Sequence, residues 1–123
     1  MFKNISIAAA LLFFTLSALM IFYPPLIYWL FALEPHELGD FLAKRAGVLF
    51  LGLGLLSFLT RDVRDKAIQR IISISFGSMM LLMAAMGIYE FARGYAGIGI
   101  WFANLTEIGF GAAYLMMWRR TKE

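Results

Sequence analysis

Three groups of residues in this chain have types and spacings that can do chemistry. The first centres on Glu107, with Asn104 three residues before it and Tyr114 seven after it, all on one face of a helical stretch. Glu107 stands twelve residues before Arg119, which is about 18 Å along a helix and close to mid-membrane if Arg119 marks a membrane surface. A carboxyl at that depth must hold a proton or find a cation or hydrogen-bond donors, so it is a site by default. Arg45, about 24 Å along its helix from Arg61, can reach out to the headgroups or in toward Glu107, and Glu90, at the outer end of its helix, can share Arg45 or pair with Arg93 three residues on. The expectation is one arginine between two carboxylates, Arg45 with Glu90 and Glu107, and hydrogen bonds from Asn104 and Tyr114 to the deepest member. Such a cluster can fix helix register, couple protons or ions, or form the polar end of a pocket for an amphiphile. No nucleophile, metal set or phosphate loop accompanies it, so no reaction class follows.

The second group is His36 with Glu34, Glu37 and Asp40, whose imidazole and carboxylates are candidate ligands for a divalent metal. The same residues suit a helix start after Pro35, where carboxylates meet the positive end of the helix dipole. We expect that plainer role, with no metal and no cofactor. The third group is Met79, Met80, Met83 and Met86. Thioethers can ligate copper, but methionine is also ordinary filler in apolar packing, which is the expectation here.

The elements that must position these residues follow from composition. Of 123 residues, 62% are hydrophobic and 15% charged, with a mean hydropathy of +0.78, which excludes a water-soluble domain. The chain has no cysteine and a single histidine, excluding disulfides, thiol catalysis, thiolate metal sites and a bis-histidine haem. The apolar pattern predicts one all-α transmembrane domain over 1–123, with spans at 5–22, 41–59, 71–89 and 98–118. These would form an antiparallel four-helix bundle. The first span reads as a retained helix, since no small-x-small cleavage pattern precedes Tyr23, Pro24 and Pro25. The prolines end it, and Leu26 to Leu33 then suits a short interfacial segment. Ser73 with Gly77, and Gly52 on the face of Arg45, are expected at close helix contacts.

Orientation follows from Lys and Arg. Lys3, Arg61, Arg64, Lys66, Arg70, Arg119, Arg120 and Lys122 fall on one side and Lys44, Arg45 and Arg93 on the other, eight against three. The rule that cytoplasmic loops carry the excess puts both termini in the cytoplasm. The net charge of +3 is then a topology signal facing anionic headgroups, and nucleic acid is not an expected partner.

The stretch KRAGVLFLGLGLLSFLTR, the charged hairpin after it and GIYEFARGYAG resemble small four-helix bacterial inner-membrane proteins of unknown function. The resemblance implies a multi-pass inner-membrane location and brings no activity. Better understood small bundles fit poorly. Small multidrug-resistance transporters carry their essential glutamate in the first helix, where this chain has only Ser6, Thr15 and Ser17 as polar residues. Dual-topology fluoride channels lack a charge bias of this size. The leading expectation is a non-enzymatic membrane protein that serves as an accessory subunit of a larger assembly or homo-oligomer, with the lipid bilayer as its other partner. The alternatives are a small proton- or ion-coupled carrier or channel using Glu107, and an amphiphile- or lipid-binding protein.

Overall fold

A computed structural model describes residues 1–121. Lys122, one of the eight cations counted above, lies outside them. The described residues form five helices: α1 (Phe2–Phe22), α2 (Pro24–Phe31), α3 (Glu37–Leu59), α4 (Lys66–Ala92) and α5 (Ile100–Arg120). No strand occurs among the described residues. Three helices, α1, α3 and α4, are long and apolar enough to cross a membrane. α5 matches α1 in length at 21 residues but is made less apolar by Asn104, Thr106 and Glu107.

Most helices run beyond the apolar stretches that announce them, because caps rather than hydropathy set helix ends. α3 begins at Glu37, not Phe41: His36 Nδ1 accepts from the Leu38 N–H at 3.1 Å, and Glu37 and Asp40 fill the first turn. α4 begins at Lys66, not Ile71, since the Asp65 carboxylate accepts from the Ala67 N–H at 2.8 Å. The charged hairpin thereby shortens to a connection over 60–65. Pro24 and Pro25 do not merely turn the chain. They occupy the first positions of α2, where a missing N–H is no loss.

The long helices form two antiparallel pairs, α1 with α3 and α4 with α5. Small residues let each pair close. Gly47 meets the Ser17 carbonyl and Ile21, and Gly54 meets the Phe14 ring. On the other side Gly77 faces the Tyr114 Cβ, and Gly87 leaves room that the Asn104 carboxamide fills. Ser73 and Gly77 are thus buried as expected. Gly52 is not: it faces open space, and the contacts expected of it fall to Gly47 and Gly54.

Aromatic rings join the two pairs. Phe13 on α1 stacks with Phe50 on α3 at 5.9 Å and meets the edge of Phe76 on α4 at 5.9 Å. Phe76 in turn meets Tyr114 on α5 edge-on at 5.6 Å. These are favourable ring geometries, and Phe13, Phe76 and Tyr114 are buried in the main apolar core. Removing the middle ring should therefore separate the pairs. Phe13→Ala is expected to destabilise the protein by on the order of 3 kcal/mol, read as a drop in thermal unfolding temperature in detergent. Leu105→Ala, on the exposed face of α5, should change it little. Equal effects would mean that the rings do not carry the junction.

Candidate functional site

Beyond the ring stack, toward α2, the pairs leave a cleft of about 200 Å³. Phe13, Phe50 and Met80 form its floor, and Leu26, Ile27, Leu30 and Phe31 of α2 its roof. Leu12, Leu16 and Leu19 of α1 and Phe102, Ala103 and Thr106 of α5 supply walls. Glu107 is the one charged group in this lining. A cavity of about 150 Å³ lined by apolar side chains suffices for a benzene ring, so the cleft suits one ring or part of a single hydrocarbon chain.

A second cavity of about 190 Å³ adjoins the first. Both are lined by Phe31, Met83, Ala103 and Glu107, and the second adds Asn104 and Glu90. Three of the five residues expected at an intramembrane polar site thus line one cavity. Asn104 is 1% exposed, and neither its Nδ2 nor its Oδ1 has a hydrogen-bond partner; Glu107 Oε2 is likewise buried and unpartnered. A buried polar group left in that state costs about 1–3 kcal/mol, which singles out this cavity as one suited to a polar guest.

The expected pairing of Arg45 with Glu107 does not form. α3 packs chiefly against α1, and the Arg45 side chain is on an exposed face, with its guanidinium 5.8 Å from the Phe41 ring. Depth along a helix placed the two charges at reachable levels, but they belong to different pairs. Of the two partners open to Glu90 in the sequence, it takes Arg93, Nη1 to Oε1 at 3.4 Å, the i to i+3 contact that its spacing allows. Tyr114 is also elsewhere. Its hydroxyl is beside Ser57 of α3, and Ser6, Ser57, Ser73 and Tyr114 contribute one buried hydroxyl from each long helix.

Neither of the other two groups converges, and among the described residues no three His, Asp or Glu side chains come together. His36 spends Nδ1 on capping α3. Met80 is in the core and Met83 lines both cavities, whereas Met86 is exposed.

No family model, curated protein or solved structure matches this chain. The functional reading therefore rests on its own geometry.

Sequence reasoning missed α2 as the roof of the cleft. Two features hold it there. The Gly97 N–H donates to the Phe31 carbonyl at 2.8 Å, and Gly99 sits against the Leu30 carbonyl with no room for a side chain. At the other side the Tyr28 hydroxyl lies over Gly39 and donates to the His36 carbonyl at 3.4 Å. Desolvation, then the hydrogen bond and charge of Asp40, raise that hydroxyl's pKa above its ordinary value. The available signal was two prolines opening a helix and two glycines, Gly97 and Gly99, before the last span. Since the chain has no native cysteine, the roof can be tested by labelling. Ile27→Cys should react slowly with a maleimide in micelles, and adding Gly99→Val should accelerate it by about tenfold or more, as local opening by ~1.4 kcal/mol would. An unchanged rate would mean that α2 is not held by this contact.

Proposed function

We propose that the protein is a non-enzymatic integral membrane protein of the bacterial inner membrane that holds an amphiphilic small molecule between its two helix pairs. It crosses the membrane four times, as a bundle with both termini cytoplasmic. Support for α5 as the fourth span comes from its length, about 31 Å, and from where its polar groups point. Asn104, Thr106, Glu107 and Tyr114 are buried or half-buried, while Phe102, Leu105, Ile108 and Met116 face outward. Support for the orientation is the eight-to-three bias of Lys and Arg.

The observation that carries the ligand reading is the pair of adjoining cavities that share Glu107, one apolar and one lined by Asn104 and Glu90. An amphiphile fits them with its hydrocarbon part on the ring stack under α2 and its head against Asn104 and Glu107. The head is one that donates hydrogen bonds or carries positive charge. Two carboxylates line that end, and Arg93, the cation beside them, is already bound to Glu90, so an anionic head is disfavoured. The accessory-subunit and proton-coupled readings also use Glu107, but they leave the apolar cleft without a role.

The test is to extract the protein with its surrounding lipid and analyse what stays bound by native mass spectrometry. One amphiphile per protein should be retained. Ala103→Phe, which fills the space common to both cavities, should lose it while keeping wild-type helicity. Glu107→Gln should weaken retention by about tenfold, the scale of one hydrogen bond to a charged group. A bare wild-type protein, or an unchanged ligand in Ala103→Phe, would overturn the reading.

A further inference from the structure

The end of the molecule opposite α2 gathers cations from three separate stretches of chain. Lys3 at the start of α1, Arg61, Arg64 and Lys66 around the 60–65 connection, and Arg120 at the end of α5 line one open basin of about 530 Å³. Among the described residues, Asp62 is the only acid in its lining. The topology bias accounts for cations on this side of the membrane, but it requires only their number and not their convergence on one concavity.

The fold brings them together and holds them. Asp65 caps α4, and Gln69 Nε2 donates to the Val63 carbonyl at 2.7 Å, which fixes the connection against the helix. Arg61 Nη1 donates to the Phe58 carbonyl at 2.6 Å, with its guanidinium carbon 3.9 Å from the Phe58 ring centroid. Asp62 is shared by Lys3 Nζ at 3.1 Å and Arg61 Nε at 3.7 Å, so the one acid ties the start of α1 to the connection. Arg120 Nη1 meets Met1 Sδ at 3.0 Å. Among the described residues, Arg64, Lys66 and Arg120 have no carboxylate partner.

We propose that this basin binds a pair of phosphates, with Arg64, Lys66 and Arg120 as the principal contacts and Lys3 and Arg61 on the rim. Guanidinium groups match phosphate oxygens in a two-pronged geometry, and lysine adds a compact charge. The volume lies in the range of whole small-molecule sites, and among the described residues five cations against one carboxylate leave more positive charge than one phosphodiester neutralises. Basic concavities at the ends of membrane helices are suited to lipid heads bearing two phosphates. The same chemistry would serve a free diphosphate. The basin is at the opposite end from the amphiphile cleft and does not depend on it.

The experiment uses the full chain in a neutral detergent, with binding read by native mass spectrometry and by the shift in unfolding temperature. The probes are cardiolipin with two phosphates, phosphatidylglycerol with one, zwitterionic phosphatidylcholine, and inorganic pyrophosphate. Cardiolipin should bind and stabilise more strongly than phosphatidylglycerol, and phosphatidylcholine should do neither. If the natural source is a lipid, pyrophosphate will not replace cardiolipin; if it is a free diphosphate, pyrophosphate will bind as well, and either result supports the site. Arg64→Gln, Lys66→Gln and Arg120→Gln together should weaken cardiolipin binding by about 100-fold, the product of three surface cations near an anionic headgroup. Lys44→Gln with Arg45→Gln, at the far end, should not change it. Should the triple variant fail to fold, wild-type binding must still fall steeply with added salt. Equal binding of phosphatidylcholine and cardiolipin, salt-independent binding, or equal loss in the far-end variant would overturn the proposal.

Discussion

Two helix pairs, each zipped through glycines, are held to one another by Phe50, Phe13, Phe76 and Tyr114, one ring from each long helix. Within a pair, small residues bring backbones together and leave nothing to fill. Between pairs the rings act as spacers, so the pairs touch at their level and part above it. The cleft is a consequence of that difference. Its floor is the ring stack, its roof is α2, and Glu107 stands where it meets the polar cavity.

That arrangement explains why a costly residue is tolerated. Glu107 lies on α5, on the side facing the cavities, and the cation that sequence depth offered it is on a helix of the other pair. A structural ion pair would have closed the space. What remains is a carboxyl, an unpartnered carboxamide and an apolar channel in one place. Polar side chains on rigid helices beside an apolar cavity are the usual makings of a small-molecule site. α2 matters for the same reason, because it roofs the cleft.

Much of the fold is legible in the sequence. Eighteen uncharged residues from Ile5 to Phe22 can only be a long apolar helix, and Pro35 with Glu37 and Asp40 marks the start of the next long one, whereas the Asp65 cap is hidden in a run of charges. Glu107, Asn104 and Glu90 are also visible as polar residues out of place. Their partners are not, because hydropathy gives depth along a helix and says nothing of which helices are neighbours. The ring stack is hidden for a related reason: Phe13, Phe50 and Phe76 look like any other apolar residue when every face is apolar. Ser6, Ser57 and Ser73 escape notice because a serine in a span can bond its own helix. Only the structure shows them buried, as Tyr114 is, with Ser57 beside its hydroxyl.

The central claim is that the space between the pairs is built to be occupied, with Glu107 free of any cation from the protein. It is tested most directly by an X-ray density map of the protein crystallised from lipid without delipidation. The account predicts continuous non-protein density running from the Phe13 ring, beneath α2, to the carboxyl of Glu107 and the carboxamide of Asn104. A map in which side chains close the cleft, or in which the Arg45 guanidinium lies against Glu107, would contradict it.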